Sequence, residues 1–165
     1  MARNDPARTA AILRRAREEA RAAGSPSVEA EHALLAIAAH RGTEAQRILA
    51  TAGLDHATIL ETLDREFEES LAGAGVSLSA FALPPASHHQ EGIPRWGTSV
   101  KLAVHRAPKG GPGGRLDATR LLLGILRAQV GTVARALSLA GVDRAGLAAR
   151  TEQALTPRGA PQGAG

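Results

Sequence analysis

The sequence of 165 residues contains no cysteine and no tyrosine, and it has one tryptophan and two phenylalanines. Without cysteine, neither disulfides nor thiolate metal sites can form, which suits a reducing compartment. No apolar run reaches 18 residues, and the N-terminus lacks the uninterrupted apolar stretch of a secretory signal. We therefore expect a cytoplasmic protein without a membrane span.

Aromatic residues are too few to build a core, so the 44% hydrophobic content is carried mainly by Ala, Leu, Ile and Val. These residues recur at helical spacing, which predicts an all-α fold. The formal charge is +4, and nearly every base is arginine. Acidic and basic residues are interleaved, so solvated helix faces are favoured, and an Arg-rich regulator associated with nucleic acid is the alternative.

An internal repeat organises the chain. Residues 28–55 align without a gap onto residues 116–143, and nine of the 28 paired positions are identical. The same offset of 88 places Pro6 on Pro94, so the repeat begins before each first helix. The identical pairs are Ala30 and Ala118, Leu34 and Leu122, Leu35 and Leu123, Ile37 and Ile125, Arg47 and Arg135, Leu49 and Leu137, Ala52 and Ala140, Gly53 and Gly141, and Asp55 and Asp143.

Helix-start and helix-stop signals then divide the chain into about eight helices, as two pseudo-symmetric four-helix repeats. We predict a first repeat over residues 5–72, a linker over 73–93, a second repeat over 94–155 and a disordered tail over 156–165. Helices are expected from Pro6 to about Ala23, from Glu29 to about Arg41, up to Ala52, after Asp55, and from Pro94 to about Ala107, with three more beyond. The expected N-caps are Ser27, Thr43, Asp55, Asp117, Thr132 and Asp143.

The expected common core is aliphatic and comes from both repeats. It comprises Leu34, Leu35, Ile37, Ile48, Leu49, Leu122, Leu123, Ile125 and Leu137.

Catalytic and metal-binding patterns are weak. The Gly-rich stretch at 109–114 lacks the P-loop pattern and follows no strand. His88 and His89 are adjacent, which does not place two ligands on one helix face, and His32 has no partners that complete a catalytic triad. The paired acids are more typical of solvated helix faces. We expect neither an enzyme nor a cofactor or metal.

The double repeat resembles the Clp N-terminal domain, the substrate-receiving module of the Clp ATPases. The resemblance rests on A-R-E-E-A-R at 16–21, V-E-A-E-H-A-L-L-A-I at 28–37, G-T-E-A at 42–45 and A-G-L-D at 52–55. The second copy keeps L-L-L-G-I-L at 121–126 and A-G-V-D at 140–143. The chain contains no Walker motif, so the resemblance implies a free-standing recognition domain without ATPase activity.

The resemblance also implies partners. In ClpC-type relatives the domain binds phosphoarginine-marked proteins, adaptor proteins and certain cyclic-peptide antibiotics. Glu31 matches the motif glutamate that could hold a guanidinium, whereas Thr119 replaces it in the second copy. The alternative for Glu31 is a first-turn acid that stabilises its helix dipole. The implied role is an accessory factor or a decoy that binds Clp-directed peptides, proteins destined for Clp proteolysis, the Clp ATPase itself, adaptors or antibiotics.

The family's apolar recognition surface lies near the N-termini of the first helices, and this implies a docking site at Trp96. By the offset of 88, Trp96 corresponds to Arg8, a charged residue that ordinarily faces solvent. We therefore expect Trp96 to be partly exposed beside Arg8 and Pro94, with burial of Trp96 in the core as the alternative. The expected ligand-binding residues are Arg8, Glu31, Pro94 and Trp96.

Overall fold

The computed structural model describes residues 6–76, 92–110 and 114–157. The first half begins with helix α1 (Pro6–Ala22) and a two-residue strand β1 (Ser27–Val28), followed by helix α2 (Ala30–Ala39). Two further helices complete it, α3 (Glu44–Thr51) and α4 (His56–Gly73).

The second half repeats this order. Strand β2 (Arg95–Trp96) precedes helix α5 (Thr98–Arg106), and helices α6 (Ala118–Leu126), α7 (Thr132–Leu139) and α8 (Arg144–Leu155) follow. The described residues form eight helices, and the all-α class is confirmed. In the described part of the chain, no helix combines the length and the apolar character that crossing a membrane requires.

The offset of 88 holds helix by helix beyond the first. α2 and α6 begin at equivalent positions, α3 and α7 coincide at both ends, and α4 and α8 begin at equivalent positions. The glycines that end α3 and α7 are also equivalent: Gly53 has φ 73° and Gly141 has φ 69°. Both take the left-handed conformation expected of a C-terminal glycine.

Four of the predicted N-caps are confirmed by side chains that accept a backbone N–H. Thr43 accepts from Gln46, and Asp55, Asp117 and Asp143 each accept from the residue three positions on. Two caps were wrong. The residue that caps α2 is Glu29 rather than Ser27, and the residue before α7 is Gly131, with Thr132 inside the helix.

The prediction of a helix from Pro94 was also wrong. Residues 95 and 96 are extended and pair in parallel with residues 27 and 28, with Arg95 N donating to Pro26 O at 3.0 Å and Gly97 N to Val28 O at 2.9 Å. α5 therefore begins only at Thr98. By the offset of 88, Gly97 and Val28 correspond to Thr9 and Leu116. This second pair is joined through a side chain, because Thr9 Oγ1 donates to Leu116 O at 3.3 Å.

The core continues from one repeat into the other. Within the repeats, α1 packs against α2, and α5 and α8 pack against α6. Across the repeats, further pairs of helices meet. α4 packs against α7, α3 against α8 and α6, and α2 against α6. All nine predicted core residues are buried, and eight of them belong to one core cluster, whereas Leu123 lies outside that cluster. Sequence analysis missed Ile12, Leu54, Leu126 and Leu147, which are equally buried.

α5 and α6 approach each other closely at Gly124. A Cβ added there would lie 2.0 Å from the backbone oxygen of Ala103. Gly124 corresponds to Ala36 by the offset of 88. The second repeat requires glycine at this position, where the first repeat has alanine.

Some predictions lie outside the described residues. These are the pair His88 and His89, most of the linker at 77–91, part of the Gly-rich stretch at 111–113, and most of the tail at 158–165.

Candidate functional site

The candidate site is the point where the starts of α2 and α5 meet. Glu29, the N-cap of α2, extends its carboxylate to the start of α5. Its Oε2 accepts from Ser99 N at 3.0 Å and from Ser99 Oγ at 2.5 Å, and its Oε1 accepts from Ser27 Oγ at 2.7 Å. Ser99 Oγ in turn accepts from Ala30 N at 2.8 Å. The carboxylate of Glu29 thus accepts from donors on β1 and α5, while Ser99 on α5 accepts from the first N–H of α2.

The electrostatics of Glu29 follow from this geometry. Burial raises the pKa of Glu29, but the hydrogen bonds from Ser99 and Ser27 outweigh that effect, and the pKa is lowered overall. The carboxylate is thus held ionised at the positive ends of two helix dipoles. The approach depends on Gly97, since a Cβ at that position would lie 1.9 Å from Glu29 Oε1.

His32 belongs to the same cap. Its Nδ1 accepts a hydrogen bond from Glu29 N at 2.9 Å, so the neutral ring carries its proton on Nε2. Burial lowers the pKa of His32, although the charges of Glu29 and Glu19 act in the opposite direction. His32 is therefore a buried, hydrogen-bonded histidine that fixes the first turn of α2.

Trp96 lies beside this cap, in β2 rather than in the first turn of a helix. It is partly exposed, as predicted, and the rest of its side chain packs against the core, as the alternative held. The guanidinium of Arg17, on α1, stacks on the indole with its Cζ 4.6 Å from the ring centroid. Arg17 Nε is buried and has no hydrogen-bond partner within the described residues. The stacking therefore accounts for the position of Arg17, at a contact worth about 0.5–2 kcal/mol.

The other predicted site residues have different surroundings. Arg8 is exposed on α1 and its Nη1 donates to Gly42 O at 3.1 Å. Pro94 is buried just before β2. The cation that lies over Trp96 is thus Arg17.

Glu31 lies on α2 near a second acidic group. Burial raises the pKa of Glu31, and the charges of Glu29 and Glu66 raise it further, whereas the charge of Arg135 lowers it. Glu66 on α4 is buried and accepts from Arg135 Nε on α7 at 2.6 Å and from Ser70 Oγ at 2.6 Å. Burial raises the pKa of Glu66, but these two donors outweigh it and lower the pKa overall.

Sequence analysis therefore missed Arg17 as the partner of Trp96 and the pair of Glu66 with Arg135. It also missed what we call the double cap, in which Glu29 is the N-cap of α2 and its carboxylate accepts hydrogen bonds at the start of α5. For Glu29, the signal was its alignment with Asp117, since both are N-caps of equivalent helices. Nothing in the sequence marks Arg17, which lies in a helix rich in arginine.

The site brings together an indole, a guanidinium and a fixed carboxylate. Over residues 6–76, 92–110 and 114–157, no group of three or more His, Cys, Asp or Glu side chains is placed to hold a metal ion.

Comparison with known proteins gives one family. The model of the Clp repeat (R) N-terminal domain matches residues 7–80, which spans α1 to α4. This match confirms the resemblance that the motifs of the first repeat indicated. No curated protein matches the chain.

Proposed function

Because residues 7–80 match the model of the Clp repeat (R) N-terminal domain, we propose that this protein is a recognition module for Clp-directed ligands. The family is non-catalytic and points to a protein partner. The proposed ligands are peptides or proteins destined for Clp proteolysis, the Clp ATPase, its adaptors, and cyclic-peptide antibiotics. The protein would act as an accessory factor or as a decoy that withholds such ligands.

The observation that carries the docking site is the partly exposed Trp96 under the guanidinium of Arg17. A tryptophan held in place by a stacked cation loses little conformational freedom on binding, and tryptophan and arginine are enriched among residues that dominate interface energies. The site lies at the starts of α2 and α5, beside the carboxylate of Glu29. We propose that the apolar part of a ligand covers the indole.

The nucleic-acid alternative has less support. In the described residues, five arginines form ion pairs with acids of the same chain, at Arg15, Arg47, Arg120, Arg127 and Arg135. Their charge is therefore partly neutralised. Binding to nucleic acid would weaken steeply with added salt because phosphate contacts release counterions, whereas docking on an apolar surface would not.

The test uses the single tryptophan as its own reporter. Because the chain has no tyrosine and one tryptophan, the intrinsic emission reports Trp96 alone. Titration with a cyclic-peptide antibiotic that targets Clp N-domains should change this emission. In parallel, pull-down from the native host's lysate should recover Clp ATPase subunits or known degradation substrates.

The matched variants are Trp96→Ala and Val130→Ala. Trp96→Ala should weaken capture of the antibiotic, measured by calorimetry, by about 1–2 kcal/mol, while the melting temperature stays within a few degrees. Val130 is 80% exposed and far along the chain from β2, so its truncation should change neither. A large loss of stability in Trp96→Ala with unchanged binding would make Trp96 a core residue and refute this docking site.

A further inference from the structure

A second surface lies on α4, away from Trp96 in sequence. Four large apolar residues follow one another at helical spacing and form what we call the α4 stripe: Leu60, Leu63, Phe67 and Leu71. Phe67 is 56% exposed and Leu60 is 43% exposed, while the other two are half-buried. Residues three and four apart share one face of a helix, so these side chains form a continuous row.

The α4 stripe is not the face by which α4 joins the core. That face is formed by Ile59, Thr62 and Glu66, which are buried where α4 packs on α2 and α7. Leu63 connects the two faces, since it lines a small apolar recess together with Val133 and Leu137 of α7. The α4 stripe therefore begins beside the α4–α7 contact and extends onto the surface, where Phe67 is exposed.

Acidic residues flank the α4 stripe along one side. Glu61, Asp64 and Glu68 each follow a stripe residue by one position, and all three are exposed. None of them forms a hydrogen bond or ion pair with the described residues. Within α4 there are five acids and one arginine, in a protein whose formal charge is +4. An uncompensated negative margin beside an apolar row is the complement of a basic amphipathic helix.

We propose that the α4 stripe and its acidic margin dock a basic amphipathic helix of a partner protein. Apolar residues of the partner, spaced by three and four positions, would cover Phe67 and Leu60. Lysine or arginine beside them would meet Asp64 and Glu68. This surface is separate from the one proposed at Trp96, and each can fail without the other.

Two occupants from the protein itself complement the surface less well. Residues 77–91 follow α4 directly, but they contain no lysine or arginine and so cannot match the acidic margin. A symmetric contact of α4 with α4 of a second copy would bring the same acids face to face, since a two-fold interface pairs identical patches. α1 is basic, yet it presents no exposed large apolar side chain.

The test uses a synthetic peptide of about 18 residues, with leucine spaced by three and four positions and lysine elsewhere. The comparison peptide keeps the leucines and has glutamate in place of lysine. Fluorescence anisotropy with labelled peptides at moderate salt should show that the basic peptide binds and the acidic one does not. Phe67→Ala should weaken binding of the basic peptide by about tenfold or more, since a central aromatic anchor is lost.

The charge variant is the double substitution Asp64→Lys and Glu68→Lys, which should abolish binding of the basic peptide and create binding of the acidic one. The matched controls are Val130→Ala, for an exposed apolar residue elsewhere, and Glu18→Lys, for an exposed acid on α1. Both controls and Trp96→Ala should bind the basic peptide as the unaltered protein does. Melting temperatures of the variants at positions 18, 64, 67, 68 and 130 should agree within a few degrees, because these side chains are exposed.

Four results would overturn the proposal. Equal binding of both peptides, or equal loss in the Val130 and Phe67 variants, would show that the surface has no specificity. A dimer of the unaltered protein that Phe67→Ala dissolves would assign the stripe to a second copy. Binding that emerges only when residues 77–91 are replaced by a Gly/Ser linker would assign it to the chain's own segment.

Discussion

A substitution at Gly97 tests whether the carboxylate of Glu29 stabilises the start of α5. In Gly97→Ala, the new Cβ would lie 1.9 Å from Glu29 Oε1 and 2.2 Å from Glu29 Cδ, so the carboxylate has to move. The backbone itself tolerates alanine, since Gly97 has φ −79°. The cost is therefore the loss of what Glu29 holds: Ser27 Oγ, Ser99 N and Ser99 Oγ.

The magnitude follows from those three contacts. Hydrogen bonds to a charged group contribute about 1.5–3 kcal/mol each, and they are not additive. Because Glu29 is half-buried, water replaces part of the loss. We expect Gly97→Ala to lower the free energy of unfolding by about 2–3 kcal/mol. For a protein of this size, that corresponds to a fall in melting temperature of about 4–12 °C.

The assay is a double-mutant cycle by urea unfolding. Glu29→Ala alone should cost a similar amount, because it removes the same contacts. In the Glu29→Ala background, Gly97→Ala should cost no more than about 1 kcal/mol, the usual preference for glycine over alanine at an N-cap. If the two costs add instead, the methyl group and the carboxylate do not compete for one space, and the double cap is refuted.

Two further predictions concern Glu31 and the close contact of α5 with α6 at Gly124. Glu31→Gln should raise the melting temperature at pH 7. Burial and the acids around Glu31 raise its pKa, so the ionised carboxylate destabilises the folded protein at neutral pH. The gain in melting temperature should vanish as the pH falls below the ordinary pKa of 4.5, where Glu31 is protonated in both states. A gain that persists at pH 4, by thermal unfolding across the pH series, would contradict this sign. Gly124→Ala should cost about 3 kcal/mol by urea unfolding, because the new Cβ meets the backbone of Ala103, which cannot yield without separating α5 from α6. Gly73→Ala is the matched control, with no atom within 4 Å of its Cβ, and equal stabilities of the two variants would argue against the close approach.

The repeat made most of the helices predictable. Each copy carries its own start and stop chemistry, and side chains such as Asp55 and Asp143 cap within their own turn. Such local contacts involve residues three positions apart, so periodicity and spacing reveal them. The nine core residues were predictable for the same reason, because apolar spacing selects the buried face.

Contacts between the repeats were not predictable. Arg95 and Trp96 follow the same offset as the start of α1, yet they form a strand because the backbone of residues 26–28 offers hydrogen-bond partners from the other copy. Glu29 aligns with an ordinary cap, but its carboxylate crosses to α5 because Gly97 leaves room. Phe67 keeps helical spacing with the buried Ile59, although it is itself 56% exposed. Contacts between residues far apart in the sequence do not affect the spacing of apolar residues, so periodicity cannot predict them.

The packing of the repeats against each other has a consequence for synthesis on the ribosome. Leu34 is buried partly by α7, whose Leu137 lies roughly a hundred residues later in the chain. At about 5–20 residues per second, α2 emerges some 5–20 s before the helix that covers it. During that interval the leucines of α2 are accessible to chaperones, because the helix that covers them has not yet been synthesised.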